Sequence, residues 1–314
     1  MSGAMSGSAI LAAHARQSTL SIVALTINNT CNLACPHCYL QYDGPRGLVS
    51  DEVLACVLES NCEGICIVGM EPLANRAAAR RVDEIVERAG SRGKWVSIIT
   101  NGLNAALLPA DTAKRLAWID VSLDGGPRTY EQYRNGSWTK LLRALAELRE
   151  RTPIELRLLQ TLSWETASAI DDMLDASALL QARFTVFSPF QITRGTRVQT
   201  ATEIDPVSYV NALAPYRHNP DIFVTMDATY GGHHTDTPEA VARGRELFGG
   251  RFLYVDTDPI DRGLMRVTYD GIATTPFGAI NTRDYATVGM PVQRERLDAI
   301  FDALQFDAPP TQLN

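Results

Sequence analysis

The stretch Cys31-Asn32-Leu33-Ala34-Cys35-Pro36-His37-Cys38-Tyr39 sets three thiols at spacings of four and then three residues. Thiolates placed this way can wrap one iron–sulfur cluster and bind three of its four irons, leaving the fourth open to an outside ligand. Zinc is the competing metal, in a Cys3His set that recruits His37. His37 directly abuts Cys38, however, and adjacent residues are awkward simultaneous ligands of one tetrahedral ion. Three thiols buried as small hydrophobes is the purely structural alternative.

Working outward, the apolar run Leu20–Ile27 precedes the triplet and reads as a strand, so the thiols fall at its C-terminal end. Further β-branched or apolar runs follow at Gly64–Gly69, Trp95–Thr100, Trp118–Leu123, Ile154–Thr161 and Arg183–Ser188. Between them lie helical patterns at Ser50–Glu59, Ala74–Arg88, Thr139–Arg149 and Trp164–Leu180, the first opening on a Ser-Asp-Glu cap. Six β/α repeats imply an α/β fold with a parallel sheet and right-handed crossovers, as an open sheet or a partial barrel. In both, active-site residues gather at the strand C-termini.

Past residue 190 Gly, Pro, His and Asp become frequent between short strand candidates at Ile222–Met226, Phe252–Asp256, Leu264–Tyr269 and Ile272–Thr275. The Asp270-Gly271 turn joins the last two, and a final helix is expected over Pro291–Phe306. The expected division is a disordered tail over 1–18, a core over 19–195 and a small α+β extension over 196–314. A net charge of −7 argues against a nonspecific grip on nucleic acid or an anionic membrane. No apolar run approaches the roughly 18 residues of a membrane span. The start of the chain lacks the pattern of a secretory signal. The expected setting is therefore cytoplasmic and reducing, with cysteines as ligands or packing groups rather than disulfides.

The CxxxCxxC loop after a first strand resembles the signature of the radical S-adenosylmethionine (SAM) superfamily, whose core is a partial (β/α)6 TIM-like barrel. The likeness covers about residues 19–190. It implies a [4Fe-4S] cluster on Cys31, Cys35 and Cys38, with SAM as the outside ligand. Gly69-Met70-Glu71-Pro72 resembles the family's Gly-Gly-Glu-Pro motif, in which backbone groups and the Glu carboxylate receive the SAM ammonium. Met70 stands where the family has a second Gly, which would be costly if that position required a strained φ. Thr100-Asn101-Gly102 is similar to a family motif facing the site. Ser122, in Ser122-Leu123-Asp124-Gly125, matches a residue that hydrogen-bonds SAM in many relatives; Asp124-Gly125 also reads simply as a turn. The stretch around Tyr130-Glu-Gln-Tyr-Arg134 resembles the His-Asp-x-x-Arg segment of peptide-modifying and sulfatase-maturating relatives, which implies that Arg134 meets the SAM carboxylate. Gln160, Thr161 and Ser188, at strand ends, are expected to face cofactor or substrate. His37 is expected near the adenine and Tyr39 beside the cluster.

Cys56, Cys62 and Cys66 form no second cluster motif and read as packing thiols. The tail around Val267–Phe277 and Tyr285–Gly289 resembles the opening of a SPASM or twitch domain. Phe277 replaces the cysteine expected there, and no cysteine follows Cys66, so the tail is expected to cover the barrel mouth without auxiliary clusters. His233-His234 reads as a solvated loop or a metal or substrate site. The resemblance implies reductive cleavage of SAM to a 5′-deoxyadenosyl radical that abstracts hydrogen from a small molecule or peptide in specialised, natural-product metabolism. Rearrangement, epimerisation or another C–H functionalisation would follow, with a flavodoxin or ferredoxin as one-electron donor. The competing classes are a noncatalytic iron–sulfur or zinc-binding regulator and an electron-transfer protein, which would need only the triplet.

Overall fold

The first six apolar runs become successive strands in the computed structural model, which describes residues 19–35, 37–38, 46–192, 201–231, 234–276, 289–292 and 296–307. They are β1 (Ile22–Thr26), β2 (Gly64–Val68), β3 (Trp95–Thr100), β4 (Trp118–Ser122), β5 (Leu156–Leu162) and β6 (Phe184–Pro189). Each pairs in parallel with the next, in sequence order. Helices α1 (Asp51–Glu59), α2 (Arg76–Gly90), α3 (Ala110–Arg115), α4 (Pro127–Arg134), α5 (Trp138–Arg151) and α6 (Ile170–Leu179) supply the crossovers that parallel pairing demands. The fold is thus α/β with a largely parallel sheet that does not close.

The chain then extends the same sheet from both sides. After α7 (Pro206–Leu213), β7 (Ile222–Asp227) adds in parallel to β6. A short α8 (Ala228–Gly231) and α9 (Thr237–Phe248) lead to β8 (Phe252–Val255), parallel to β7. β9 (Leu264–Val267) returns to the other side and pairs in parallel with β1. β10 (Ile272–Thr274) and β11 (Met290–Pro291) then pair antiparallel at that edge, and α10 (Leu297–Asp307) follows. The order is β11-β10-β9-β1-β2-β3-β4-β5-β6-β7-β8. Among the described residues no helix is long and apolar enough to cross a membrane.

Two helices start well inside the stretch that the sequence pattern suggests. The pattern from Trp164 suggested a helix, but Ser163 and Thr166 exchange side-chain and backbone hydrogen bonds, and α6 starts only at Ile170. Short hydroxyl side chains offer the backbone this competing turn. The last helix does not begin at Pro291, which pairs with Ile272 in β11; α10 starts at Leu297. An edge strand tolerates a proline because one side of its ladder needs no donor.

The strands alternate in burial, whereas a parallel sheet covered on both faces reads as continuously buried. In β5, Leu156, Leu158, Gln160 and Leu162 are buried, while Leu159 and Thr161 keep some exposure. In β4, Ile119 and Val121 are buried, and Asp120 and Ser122 are not fully so. One face therefore packs on the helices and the other, the inner face, borders open space. At the strand N-termini that inner face is plugged. Trp95 and Trp118 stack at 5.2 Å, Arg157 lies 3.9 Å from the Trp118 ring centre and 4.9 Å from that of Phe184, and Phe184 meets Phe223 at 4.8 Å. A Cβ on Gly64 would fall 1.9 Å from the Trp95 ring, so only glycine lets Trp95 lie there. With one end filled by these side chains, the strand C-termini are the end at which such folds place their sites.

Candidate functional site

Beyond β1, Ile27 stays in register through its N–H to Val68 O (3.2 Å), and Asn28 forms a bridge to Leu48. The Asn28 side-chain amide donates to Glu71 O (2.8 Å), so the chain entering the cysteine loop is tied to the end of β2. The Cys31 sulfur accepts from Leu33 N (3.3 Å), and Asn101 Nδ2 donates to Asn32 Oδ1 (2.8 Å), fixing the loop to the end of β3. Cys35 and Cys38 are joined by a turn, Cys38 N to Cys35 O (3.2 Å), and the Cys35 thiol donates to Arg134 O (3.6 Å). None of the three thiols is in a disulfide, and all three are half-buried. Tyr39 lies outside the described residues.

Burial pushes the Cys31 thiol up to about 12, with Glu71 and the other two cysteines adding to the rise. Cys35 rises to about 11, again through burial, against the pull of Arg134. Three thiols in one another's field, out of bulk water, need an added positive charge to become thiolates, and a metal centre supplies it. The donor set fits a cluster, whose ligands are spread over several irons. Among the described residues no three His, Cys, Asp or Glu side chains converge as the ligands of a single ion. The His37 Nε2 required for a Cys3His zinc site through that atom is paired with Asp124 at 3.2 Å.

Glu71 is 1% exposed, and its carboxylate accepts from Leu73 N (2.8 Å), Thr100 Oγ1 (2.6 Å) and Asn101 N (2.7 Å). Burial pushes its carboxyl up, and these donors oppose the rise. The carboxylate thus staples the end of β2 to the end of β3, using about three of its roughly four lone-pair directions and leaving one on Oε2. Gly69 has φ +155°, and a Cβ there would sit 3.3 Å from Asn28 Oδ1. Met70 does not share that positive φ, so a side chain at the family's second glycine brings no backbone strain here. It lines a cavity of about 670 Å³ together with Asn29, Thr30, Cys31 and Leu33.

At the end of β4, Ser122 lies on the inner face and Asp124 is fully buried. Asp124 Oδ1 accepts from Thr161 N (3.0 Å), and Oδ2 lies 2.9 Å from Arg134 Nε and 3.2 Å from His37 Nε2. Burial alone would raise this carboxyl, yet Arg134 and His37 hold it well below the usual carboxylate range. Arg134 is the last residue of α4, which starts at Pro127 and stops where Asn135 turns left-handed at φ 55°. Its Nε forms an ion pair with Asp124. The ring of Tyr133, one residue earlier, lies 5.7 Å from that of His37.

Register places Thr161 beside Ser188, on the same face as Ser122. Gln160 points to the helix-covered face, where its Nε2 donates to Thr166 O (3.4 Å). Thr100 also lies on that buried side and serves Glu71. The structure therefore brings Cys31, Cys35, His37, Glu71 and Arg134 together with Asp124, while Gln160 faces away from Thr161. The other cysteines bond locally. Cys56 donates to Val292 O (3.2 Å), Cys62 to Val57 O (3.8 Å), and Ser97 Oγ to Cys66 Sγ (3.2 Å). His234 pairs with Glu203 at 3.5 Å and packs against Tyr230; His233, Phe277 and Tyr285 lie outside the described residues.

Sequence reading missed Tyr130. It is fully buried on α4, and among the described residues its hydroxyl has no hydrogen-bond partner. Its hydroxyl lies in the electrostatic field of Arg134, Cys35, Glu71 and Asp124. The available signal was spacing: Tyr130, Tyr133 and Arg134 stand at i, i+3 and i+4 and so share one helix face.

Comparison with known proteins agrees with this geometry. Residues 25–167 match the family model described as the Radical SAM superfamily. Among solved structures, the chain is similar to native anSMEcpe with bound AdoMet (TM-score 0.62, 17% identity, covering 90% of this chain and 80% of that one). It is also similar to Streptococcus suis SuiB bound to its precursor peptide SuiA (0.65, 14%, 93% and 66%) and to SuiB bound to S-adenosylmethionine (0.63, 14%, 95% and 68%). A comparison with the curated proteins found no match. A three-thiol loop beyond the first strand, tied to the ends of the next strands, lies within the stretch that the family model covers: residues 25–167 match a radical SAM domain.

Proposed function

We propose that this chain is a radical SAM enzyme that abstracts a hydrogen atom from a peptide or small-molecule substrate in natural-product metabolism. The observation that carries the reading is the convergence of the cysteine loop, Glu71 and Arg134 at one end of the sheet whose other end is plugged. Radical SAM domains take a [4Fe-4S] cluster and SAM, and when bound these supply one-electron cleavage of the sulfonium and a hydrogen-abstracting radical. Cys31, Cys35 and Cys38 would hold the cluster as thiolates, leaving one iron without a protein ligand.

The remaining roles follow from charge and position. The free direction on Glu71 Oε2 and the backbone around Gly69 and Met70 would receive the SAM ammonium, and the Arg134 Nη groups its carboxylate. Ser122, with Thr161 and Ser188 on the same face, would hydrogen-bond the nucleoside or the substrate. His37 Nδ1 is buried and without a partner among the described residues, which suits an acceptor for the adenine amino group. Thr100 acts through Glu71, and Gln160 through the turn at Thr166. Residues 196–314 would form a cluster-less extension of a core spanning 19–195, adding β7 and β8 at one edge of its sheet and β9 to β11 at the other.

The peptide side of the substrate class is supported by the shared fold of SuiB, which was solved with its precursor peptide. Rearrangement, epimerisation or hydrogen return suits a chain with no cysteine after Cys66, since no auxiliary cluster is then available to take an electron. A cytoplasmic flavodoxin or ferredoxin would deliver the reducing electron. The test is anaerobic reconstitution with iron and sulfide, followed by SAM and dithionite. The expected product is 5′-deoxyadenosine; a reducible cluster that yields no nucleoside would instead favour an electron-transfer or regulatory role.

A further inference from the structure

We propose that Asp124 is a positioning residue that holds the cluster loop and fixes the charge beside it. The inference rests on the reading that Cys31, Cys35 and Cys38 carry a cluster. Three attachments meet at this one carboxylate. Through His37 Nε2 (3.2 Å) it reaches the loop between two of the proposed ligands. Through Arg134 Nε (2.9 Å) it holds the residue whose backbone carbonyl faces the Cys35 sulfur at 3.6 Å. Through Oδ1 it accepts from Thr161 N (3.0 Å), which anchors the assembly to β5.

The setting makes the charge matter. The side chains of Asp124, His37 and Arg134 are 1%, 9% and 10% exposed, so water screens them poorly. Reduction adds an electron to the cluster, a step favoured by nearby positive charge and opposed by negative charge. Arg134 alone would favour it; Asp124 cancels that charge. The carboxylate acts through Arg134 and His37, and contact with SAM is not part of its role.

Asp124→Asn keeps the size of the side chain and an acceptor for Thr161 N but removes the charge. In the reconstituted protein without SAM, an EPR redox titration is expected to show a higher midpoint potential. A tenfold change in the reduction equilibrium corresponds to about 59 mV for one electron. Arg134→Gln is expected to shift it the opposite way, and the Asp124→Asn/Arg134→Gln double variant to return it towards wild type. Iron bound per chain is measured alongside and is expected to fall in Asp124→Asn, whose loop is held less firmly. A fully loaded Asp124→Asn protein with the wild-type potential overturns the proposal. If that variant does not fold, Arg134→Gln decides, since an unchanged or higher potential contradicts the assignment. A wild-type chain that binds no cluster would instead remove the functional reading itself, whereas wild-type SAM cleavage with silent variants removes only this inference.

Discussion

Arg134 Nε and Asp124 Oδ2 stand 2.9 Å apart with both side chains almost wholly out of water. A buried pair of this kind adds little net stability, but removing one partner leaves the other charge uncompensated, at about 3–5 kcal/mol. Asp124→Ala is therefore expected to destabilise the apo-protein by that order. Asp124→Ala/Arg134→Met should recover most of the loss. Chemical denaturation of the single and double variants measures this coupling.

Glu71 provides a second test, because its carboxylate meets three donors and Gln would turn an NH2 group towards at least one of them. Glu71→Gln is expected to lose about 1–3 kcal/mol of stability. It should also weaken SAM binding to the reconstituted protein, which equilibrium binding of labelled SAM checks.

Much of the fold was legible because buried parallel strands are short apolar runs bounded by turn residues, and all six in the first 190 residues formed strands. The pairing of β9 with β1 was not legible, since it joins Leu264 to Ile22 with no local mark in either segment. In the site, the cysteine triplet is a local motif and could be read directly. The partners of Asp124 are not local: His37, Arg134 and Thr161 come from three separate segments, so Asp124-Gly125 looked like a turn. Gln160 was grouped with Thr161 because both end one strand, yet neighbouring strand residues point to opposite faces.

Asp120 sits on the inner face, where burial pushes its carboxyl up to about 6 despite Arg157 and the Trp118 indole N–H at 2.8 Å. With a folded value above the unfolded one near 3.8, its contribution is fully present below about pH 4 and is lost as pH rises through 6. The loss is on the order of 2 kcal/mol once its partial exposure is allowed for. Asp120→Asn should therefore gain stability relative to wild type between pH 4 and 7. Thermal melts across that range read the trend, and a constant difference would contradict it.

Gly64→Ala places a methyl group against the Trp95 ring, where the ideal Cβ position is 1.9 Å away. The plug would have to shift, and overpacking of this kind costs about 1–3 kcal/mol. A lower melting temperature with altered Trp95–Trp118 exciton circular dichroism is the expected result.

Among the cysteines, Cys31→Ala, Cys35→Ala and Cys38→Ala should each lose most of the bound iron after anaerobic reconstitution. Cys56→Ala, whose thiol donates to Val292 O, should retain it. Iron and sulfide assays on the four proteins separate ligands from packing thiols.

The claim at the centre is that three cysteines leave one iron open for SAM. Mössbauer spectroscopy of protein reconstituted with enriched iron, with and without SAM, tests this most directly. The expected result is a [4Fe-4S] spectrum in which a single iron site changes when SAM is added. A spectrum that SAM leaves untouched, with every iron held by protein donors, would contradict it.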